Sequence, residues 1–197
     1  MDAFTRLVDA LRCLPGVGPK SAQRMVFHLL QHQRQRGLHL AASLEAAMRT
    51  IGHCTICNNY TEHETCALCK NQNRNQEILC VVESPTDITA IEQSHAYQGT
   101  YYVLMGKLSP LDGIGPNDIA IDGLEARVKE GHIRELIFAL SPSIEGQTTL
   151  HFIQSRLKNY PLIMSQLAHG IPMGGTLEFL DGNTIGSALR NRGEVVL

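Results

Sequence analysis

Apolar residues in the first fifty positions recur at the spacing of helical faces. Positions i, i+3, i+4 and i+7 share one face of an α-helix. Two such sets are present: Phe4, Leu7, Val8 and Leu11, and then Ala22, Met25, Val26, Leu29 and Leu30. Residues 14–19 (Leu-Pro-Gly-Val-Gly-Pro) separate them and predict a tight turn, with Pro19 as the first residue of the second helix. A third helix is predicted over residues 41–51.

From residue 77 onwards the pattern differs, because short apolar runs alternate with helical stretches. Residues 78–82 (Ile-Leu-Cys-Val-Val) form a continuous apolar run, which is typical of a strand buried on both faces. Further strands are predicted over residues 100–105, 135–140, 162–164 and 177–180, and helices over residues 86–94, 123–131 and 148–157. This alternation indicates an α/β fold with a mostly parallel sheet flanked by helices.

Two Cys-x-x-Cys pairs lie between these regions: Cys54 with Cys57, and Cys66 with Cys69. Four thiolates at this spacing can surround one Zn²⁺ tetrahedrally at about 2.3 Å each. The residues between the pairs have too little apolar surface to fold by burial, so a metal would supply the missing free energy. No coordination position stays open, and the nearby His53 and His63 are not needed as ligands. The sequence predicts a small structural zinc finger, with two disulfides as the alternative.

Composition adds to this picture through charge and thiols. The 197 residues are 43 % hydrophobic, enough for a packed core, and no apolar run reaches the ~18 residues of a membrane span. The net charge of −2 is uneven, since residues 1–80 hold nine Lys and Arg against six Asp and Glu, and residues 81–197 eight against thirteen. The front of the chain could therefore face an anion. Cys13 and Cys80 are expected to be buried free thiols, which favours a cytoplasmic protein.

Residues 14–24 (Leu-Pro-Gly-Val-Gly-Pro-Lys-Ser-Ala-Gln-Arg) resemble the helix-hairpin-helix motif of DNA-binding proteins. Gly16 and Gly18 have no Cβ, so a phosphate can approach the backbone amides, and the next helix presents its positive end. Lys20 and Arg24 are four residues apart and share a helical face. Such contacts read no bases, so binding would be independent of sequence. A plain helix–helix turn is the alternative interpretation.

Glu83 and Asp87 follow the strand at residues 78–82 and open a segment that resembles a Toprim domain. In active Toprim families, a glutamate after the first strand and an Asp-x-Asp after a later strand hold Mg²⁺. Here the later strand is followed by Ser141 and Ser143, with Glu145 beyond them. Neutral hydroxyls contribute little to Mg²⁺ binding. Magnesium binding is therefore expected to be weak or absent, and no catalytic residue is expected.

The order of these parts resembles the RecR family of bacterial recombination mediators over essentially the whole chain. Residues 14–24, the four-cysteine loop, residues 79–87 (Leu-Cys-Val-Val-Glu-Ser-Pro-Thr-Asp), residues 109–116, Glu145-Gly146 and residues 168–175 carry the resemblance. It implies a non-enzymatic DNA repair protein that forms ring-like tetramers, works with RecO and RecF, and helps to load RecA at single-stranded gaps. It also implies DNA contacts at Lys20 and Arg24.

Partner contacts, with RecO in particular, are implied at Glu83, Asp87 and Glu145. Gln147 and Gln166 depart from the family pattern at that face, where an acid and a base are more usual.

Four regions are expected: a helix-hairpin-helix region for DNA binding and oligomerisation (residues 1–52), a four-cysteine zinc finger (53–76), a Toprim domain (77–172) and a C-terminal strand–helix segment for subunit contacts (173–197). The protein is expected to bind single- and double-stranded DNA in the cytoplasm, near the nucleoid during repair, and not to contact membranes. Two other functions stay open. One is a Mg²⁺-dependent nuclease or primase of the Toprim type, and the other is a protein adaptor whose hairpin only builds the oligomer.

Overall fold

The structure is a computed structural model that describes residues 1–168, 170–172 and 174–191. The chain divides into two units, Met1–Ile51 and Gly52–Leu197, called here the first and the second unit. His169 and Met173, part of the 168–175 motif, lie outside the described residues, as do residues 192–197 of the predicted C-terminal segment. The boundaries of the four expected regions stay predictions.

Three helices build the first unit: α1 (Ala3–Leu11), α2 (Pro19–His32) and α3 (Arg34–Thr50). Pro19 is the first residue of α2, as predicted. The prediction for α3 was wrong at its start, because the helix begins at Arg34 rather than near residue 41. Arg and Gln are good helix formers, and the one glycine in this stretch costs only roughly 1 kcal/mol relative to alanine. Only Ala22 and Val26 are fully buried in this unit.

The second unit starts with the four-cysteine segment. Strands β1 (Gly52–His53) and β2 (Tyr60–Thr61) pair antiparallel, and the short helix α4 (Ala67–Lys70) follows. The term zinc loop is used below for residues 54–69. Its two small strands were not predicted, because two-residue strands carry no periodicity that a sequence pattern can show.

A four-stranded parallel sheet forms the body of the second unit, which confirms the predicted α/β class. Its strands and helices are β3 (Asn75–Val82), α5 (Pro85–Gln93), β4 (Gly99–Val103), α6 (Ile121–Lys129), β5 (Glu135–Ala139), α7 (Ile144–Leu157) and β6 (Ile163–Gln166). The strand order is β4-β3-β5-β6, and every neighbouring pair is parallel. Leu79 and Val81 pack in a cluster with residues of α6 and α7, whereas Cys80 and Val82 pack with Ile88 of α5. Helices therefore cover both faces, as the apolar run at 78–82 required.

Two expectations near the chain ends were wrong. The strand predicted at 177–180 is a 3₁₀ turn, Leu177–Phe179, followed by α8 (Gly182–Arg190). Its alternating apolar residues suggested a strand, but no strand lies beside them among the described residues, and a strand needs a hydrogen-bonded neighbour. Cys13 is exposed, not buried, because it follows α1 in a turn whose apolar neighbour Leu14 is also exposed.

Strand β4 lies at the edge of the sheet, and its outward backbone groups are covered by other parts of the chain. An uncovered edge presents free N–H and C=O groups that invite pairing with another chain. Three side chains donate to alternate carbonyls: Arg74 Nη1 to Gly99 O at 2.9 Å, Arg127 Nη1 to Tyr101 O at 2.6 Å, and Asn58 Nδ2 to Val103 O at 2.8 Å. The Val103 N–H donates to the Cys57 carbonyl at 2.9 Å. The zinc loop is thus part of the sheet edge.

Arg74 is also the centre of a buried polar group. It forms an ion pair with Glu92, and the Tyr101 hydroxyl donates to Glu92 Oε1 at 2.5 Å. Burial acts to raise the pKa of Glu92, but the hydrogen bonds from Tyr101 and Arg74 outweigh it and lower the pKa. The side chain of Arg74 is only 8 % exposed. Glu92 therefore supplies the negative charge that compensates the buried guanidinium of Arg74.

Replacement of Glu92 by alanine is expected to lower the free energy of unfolding by about 2–3 kcal/mol, because it leaves the Arg74 cation buried without its acid. Glu125→Ala is the matched control. Glu125 is similarly exposed, but its partner Arg156 is 35 % exposed and keeps Asp122, so a loss below about 1 kcal/mol is expected. Urea unfolding in zinc-containing buffer measures both losses. Equal losses would show that Arg74 does not need Glu92.

Candidate metal centre and nucleic-acid interface

The four cysteines of the zinc loop converge on one point. Their Sγ atoms all lie within 4.8 Å of one another, and Cys57 Sγ is 3.5 Å from Cys66 Sγ. Tetrahedral zinc with Zn–S bonds of about 2.3 Å places its sulfurs about 3.8 Å apart, so the donor set fits the metal. All four cysteines are unlinked, and 3.5 Å is far beyond a disulfide bond of about 2.05 Å. The geometry favours the zinc site over the disulfide alternative.

Charge within the quartet explains why a cation is needed. The hydrogen bond from the Cys69 thiol lowers the pKa of Cys57. The same contact raises the pKa of Cys69, and burial raises the pKa of Cys66. One thiolate therefore forms readily while its neighbours resist ionisation. A divalent cation at the centre removes this resistance, since thiolates are the form that binds metal.

The two nearby histidines, His53 and His63, are not members of the cysteine quartet. The ring of His53 packs against Tyr60 at 5.0 Å between centroids, and His53 Nδ1 is 3.2 Å from the Asn58 carbonyl oxygen. Asn58 has a φ of 61°, in the left-handed region that asparagine tolerates better than most residues. This conformation accompanies its side-chain hydrogen bond to Val103 of the sheet edge. Sequence reasoning missed Asn58, because its role depends on a strand 45 residues away.

The hairpin between α1 and α2 has the predicted local geometry. Gly16 has a φ of +76°, and a Cβ added to Gly16 or Gly18 would meet nothing within 4 Å, so the backbone is open. Gly18 caps α2 without a side-chain hydrogen bond, which leaves the first amides of the helix uncovered. Lys20 and Arg24 are exposed on the following turns, and neither forms an ion pair with any residue that the structure describes. The arrangement can accept a phosphate.

The carboxyl ends of β3 and β5 bring Glu83 and Ser141 together. These neighbouring strands lead into connections that run in opposite directions, and such a switch point opens a crevice at the carboxyl edge of a parallel sheet. Here the Ser141 N–H donates to Glu83 Oε1 at 2.6 Å, which bridges the crevice. The Ser141 and Ser143 hydroxyls are 3.0 Å apart. Gly146 permits the close approach of α7 to Ser141, since a Cβ at Gly146 would lie 2.0 Å from the Ser141 carbonyl oxygen.

The other two predicted acids, Asp87 and Glu145, lie in the first turns of two different helices. Asp87 caps α5, where its Oδ2 accepts from the Ser84 N–H at 2.8 Å. Glu145 lies in the first turn of α7, and hydrogen bonds from its own backbone N–H and from Ser143 lower its pKa. Lys107, which the sequence analysis missed, places Nζ 3.3 Å from Ser143 Oγ and 4.0 Å from Glu145 Oε2. Among the described residues, only the cysteine quartet forms a metal-type cluster of three or more ligands.

Family models match the chain in the order of its parts. RecR models match the helix-hairpin-helix over residues 4–48, the four-cysteine zinc finger domain over residues 51–71 and the C-terminal region over residues 170–192. A Toprim domain model matches residues 77–168.

Curated relatives are similar over nearly the full chain. "Recombination protein RecR" from Legionella pneumophila subsp. pneumophila strain Philadelphia 1 is 68 % identical over 192 residues, which cover 98 % of this chain and 96 % of the relative. The proteins of the same name from strains Corby and Lens are each 67 % identical over 192 residues, 98 % of both chains. The chain belongs to the RecR family. All four cysteines lie within the RecR zinc-finger match, so the quartet is a structural zinc site of that family.

Among the described residues, no helix combines the length and apolar character needed to cross a bilayer.

Replacement of one ligand, Cys66→Ser, is expected to reduce the zinc content from one ion per chain and to expose the β4 edge. The Val103 N–H donates to the Cys57 carbonyl, so its hydrogen exchange should accelerate once the zinc loop opens. Metal analysis and amide exchange by NMR measure the two effects. Cys13→Ser is the control, because Cys13 is exposed and lies outside the quartet. Full zinc content in Cys66→Ser would contradict the assignment of Cys66 as a ligand.

Proposed function

We propose that this protein is a non-enzymatic recombination mediator that binds DNA without sequence specificity as an oligomeric ring. With RecO and RecF it would promote RecA loading at single-stranded gaps, near the nucleoid. Membership of the RecR family supports this, because the curated relatives are recombination proteins. The observation that carries the proposal is the hairpin of the first unit, with open glycine backbone at Gly16 and Gly18 beside the exposed Lys20 and Arg24.

DNA binding in this proposal acts on the sugar–phosphate backbone. The amides at the start of α2 donate to phosphate oxygens, and the two cations neutralise the phosphate charge. None of these groups is placed to read base edges, so single- and double-stranded DNA are both substrates for binding. One hairpin offers about two phosphate contacts, which is too few for firm binding, whereas four subunits offer about eight.

Self-association is supported by the surface of the first unit. Large apolar side chains are exposed there, including Leu38 at 66 % and Met48 at 76 %, together with Leu14, Met25, Phe27 and Leu44. Exposed apolar surface of this extent marks sites of association. The amphipathic helix α8 of the second unit supports a second subunit contact. The exposed apolar residues Leu177 and Phe179 precede it in the sequence.

The absence of catalysis is proposed from the chemistry at the carboxyl edge of the sheet. Ser141 and Ser143 supply hydroxyls where phosphoryl-transfer sites need carboxylates for Mg²⁺. The remaining Glu83 carboxylate already accepts from the Ser141 backbone, and Lys107 brings a positive charge to the same edge. A divalent cation would have to displace these contacts, so Mg²⁺ binding is proposed to be weak or absent.

Partner binding, to RecO in particular, is proposed at the Toprim acids, with Glu145 as the principal contact. All three acids are half-buried, but Glu83 and Asp87 accept hydrogen bonds from the backbone N–H groups of Ser141 and Ser84, whereas the Glu145 carboxylate makes a long contact of 4.0 Å to Lys107. The neighbouring Ile144 is 84 % exposed and would add apolar contact area. Gln147 and Gln166 leave this face without two further charges, so the contact depends more on Glu145.

Lys20→Ala/Arg24→Ala is expected to weaken DNA binding and flatten its salt dependence. Loss of two duplex phosphate contacts in each of four subunits reduces the log–log salt slope by about 7. Fluorescence anisotropy over a salt series measures the slope, and native mass measurement gives the number of subunits. Arg12→Ala/Arg49→Ala is the control, since both guanidinium groups already pair with acids, Asp9 and Glu45.

Unchanged DNA binding by Lys20→Ala/Arg24→Ala would overturn the hairpin assignment. An intact oligomer with no DNA binding in the wild type would favour the adaptor function instead.

Purified protein is expected to show no nicking and no primer synthesis with Mg²⁺ or Mn²⁺, because the described residues form no carboxylate cluster at the switch point. Gel assays on nicked, gapped and single-stranded DNA measure turnover, with Glu83→Gln prepared in parallel. Divalent-ion-dependent turnover that disappears in Glu83→Gln would establish the Toprim enzyme in place of the mediator.

A further inference from the structure

Cations without acid partners are concentrated in one stretch of the first unit. Residues 10–44 contain no Asp or Glu, although they contain five Lys or Arg residues and three histidines. The flanking acids are already used, since Asp9 pairs with Arg12 and Glu45 pairs with Arg49. Four cations of this stretch have no ion pair with any described residue: Lys20, Arg24, Arg34 and Arg36.

Basic side chains form a continuous ridge along α2. Lys20, Arg24, His28 and His32 follow one another at intervals of four residues, and side chains at this interval are neighbours on a helix surface. All four are exposed, and the His28 and His32 rings are 5.7 Å apart between centroids. Each residue of a helix adds 1.5 Å of rise, so the ridge is about 18 Å long.

Two arginines continue the positive charge where the ridge ends. Helix α2 ends at His32, and α3 begins at Arg34 after the single residue Gln33. Arg34 Nε donates to the Leu30 carbonyl oxygen at 3.1 Å, which holds its guanidinium against the end of α2 and leaves its other nitrogens free. The Arg36 side chain is exposed and has no hydrogen bond or ion pair within the described part of the chain.

We propose that the ridge and the two arginines form one phosphate track, along which a nucleic-acid strand gripped at the hairpin continues to Arg34 and Arg36. This inference rests on the DNA binding proposed above and extends it to residues beyond the hairpin. Each duplex strand presents one phosphate per about 3.4 Å of axis, so the ridge of about 18 Å meets about five phosphates before the strand reaches the two arginines. His28 and His32 contribute ring N–H donors in either tautomer.

Nucleic acid fits this surface better than an acidic protein segment. The track starts at open backbone amides beside Gly16 and Gly18, which suit the oxygens of a phosphate. It then offers basic groups at regular intervals without an acid between them, which suits a uniformly charged polymer. Binding of an acidic peptide in place of DNA would contradict the proposal.

Arg34→Ala/Arg36→Ala tests the far end of the track. Loss of two contacts per subunit is expected to reduce the duplex salt slope by about 1.8 for each subunit engaged, as Lys20→Ala/Arg24→Ala does at the near end. The control Arg12→Ala/Arg49→Ala removes the same charge from the same unit, but from groups already paired with acids, and should change the slope much less. Arg34→Lys/Arg36→Lys should retain the slope, because a point charge is enough for a phosphate. Circular dichroism confirms that each variant keeps its helices.

The ridge itself is tested by His28→Glu/His32→Glu, which places acids between the two ends of the track. This variant is expected to weaken DNA binding more than Arg34→Ala/Arg36→Ala does. Equal slopes for Arg34→Ala/Arg36→Ala and the Arg12→Ala/Arg49→Ala control would overturn the track while the hairpin still binds. Unchanged binding by Lys20→Ala/Arg24→Ala would instead overturn the proposed hairpin function, so the two failures are distinguishable.

Discussion

The outward backbone groups of an edge strand must be covered, and in the second unit this constraint joins parts of the chain that are far apart in sequence. Asn58 comes from the zinc loop, Arg74 precedes β3 and Arg127 lies on α6, yet each donates to a carbonyl of β4. The metal ligand Cys57 adds its own carbonyl as acceptor for Val103. Zinc therefore holds more than a small loop, because one of its ligands, Cys57, and the adjoining Asn58 also cover the edge of the sheet.

Hydrogen bonds also link the polar side chains at the carboxyl edge of the sheet. In open parallel sheets the switch point is the usual binding crevice. In this chain Glu83, Ser141 and Ser143 contact one another or the adjoining backbone, and Lys107 brings a third loop to them. Gly146 allows α7 to approach closely enough for these contacts. The polar side chains that border the crevice are therefore engaged in hydrogen bonds within the chain.

Local pattern predicted much of this architecture. The helical repeats of the first unit, the apolar run at β3 and the spacing of the cysteines each depend on neighbours a few residues apart, so the sequence shows them directly. The start of α3 at Arg34 escaped prediction because its first turns are polar and show no apolar period. The strand expected at 177–180 failed for the opposite reason, since an alternating pattern cannot form a strand without a partner strand.

Long-range contacts set the limit for the candidate sites. The quartet could be predicted because four thiols at that spacing have few other uses. Asn58, Lys107 and Gly146 carry no such signal, because each matters only through a residue that folding brings near it, Val103, Ser143 and Ser141 respectively. Cys13 was expected to be buried because its neighbours in sequence are apolar, but it is exposed, so apolar neighbours in sequence do not show whether a residue reaches the core. Exposure is a property of the packed chain.

The small interior of the first unit has a consequence for how its stability should be regarded. With Ala22 and Val26 as its fully buried side chains, it gains little from folding in isolation. Under the proposed self-association, a second subunit covers its apolar helices and stabilises it by mass action, in proportion to the logarithm of subunit concentration. Its helices should therefore loosen on dilution, whereas the sheet of the zinc-bearing unit, with a core on both faces, should be indifferent to it.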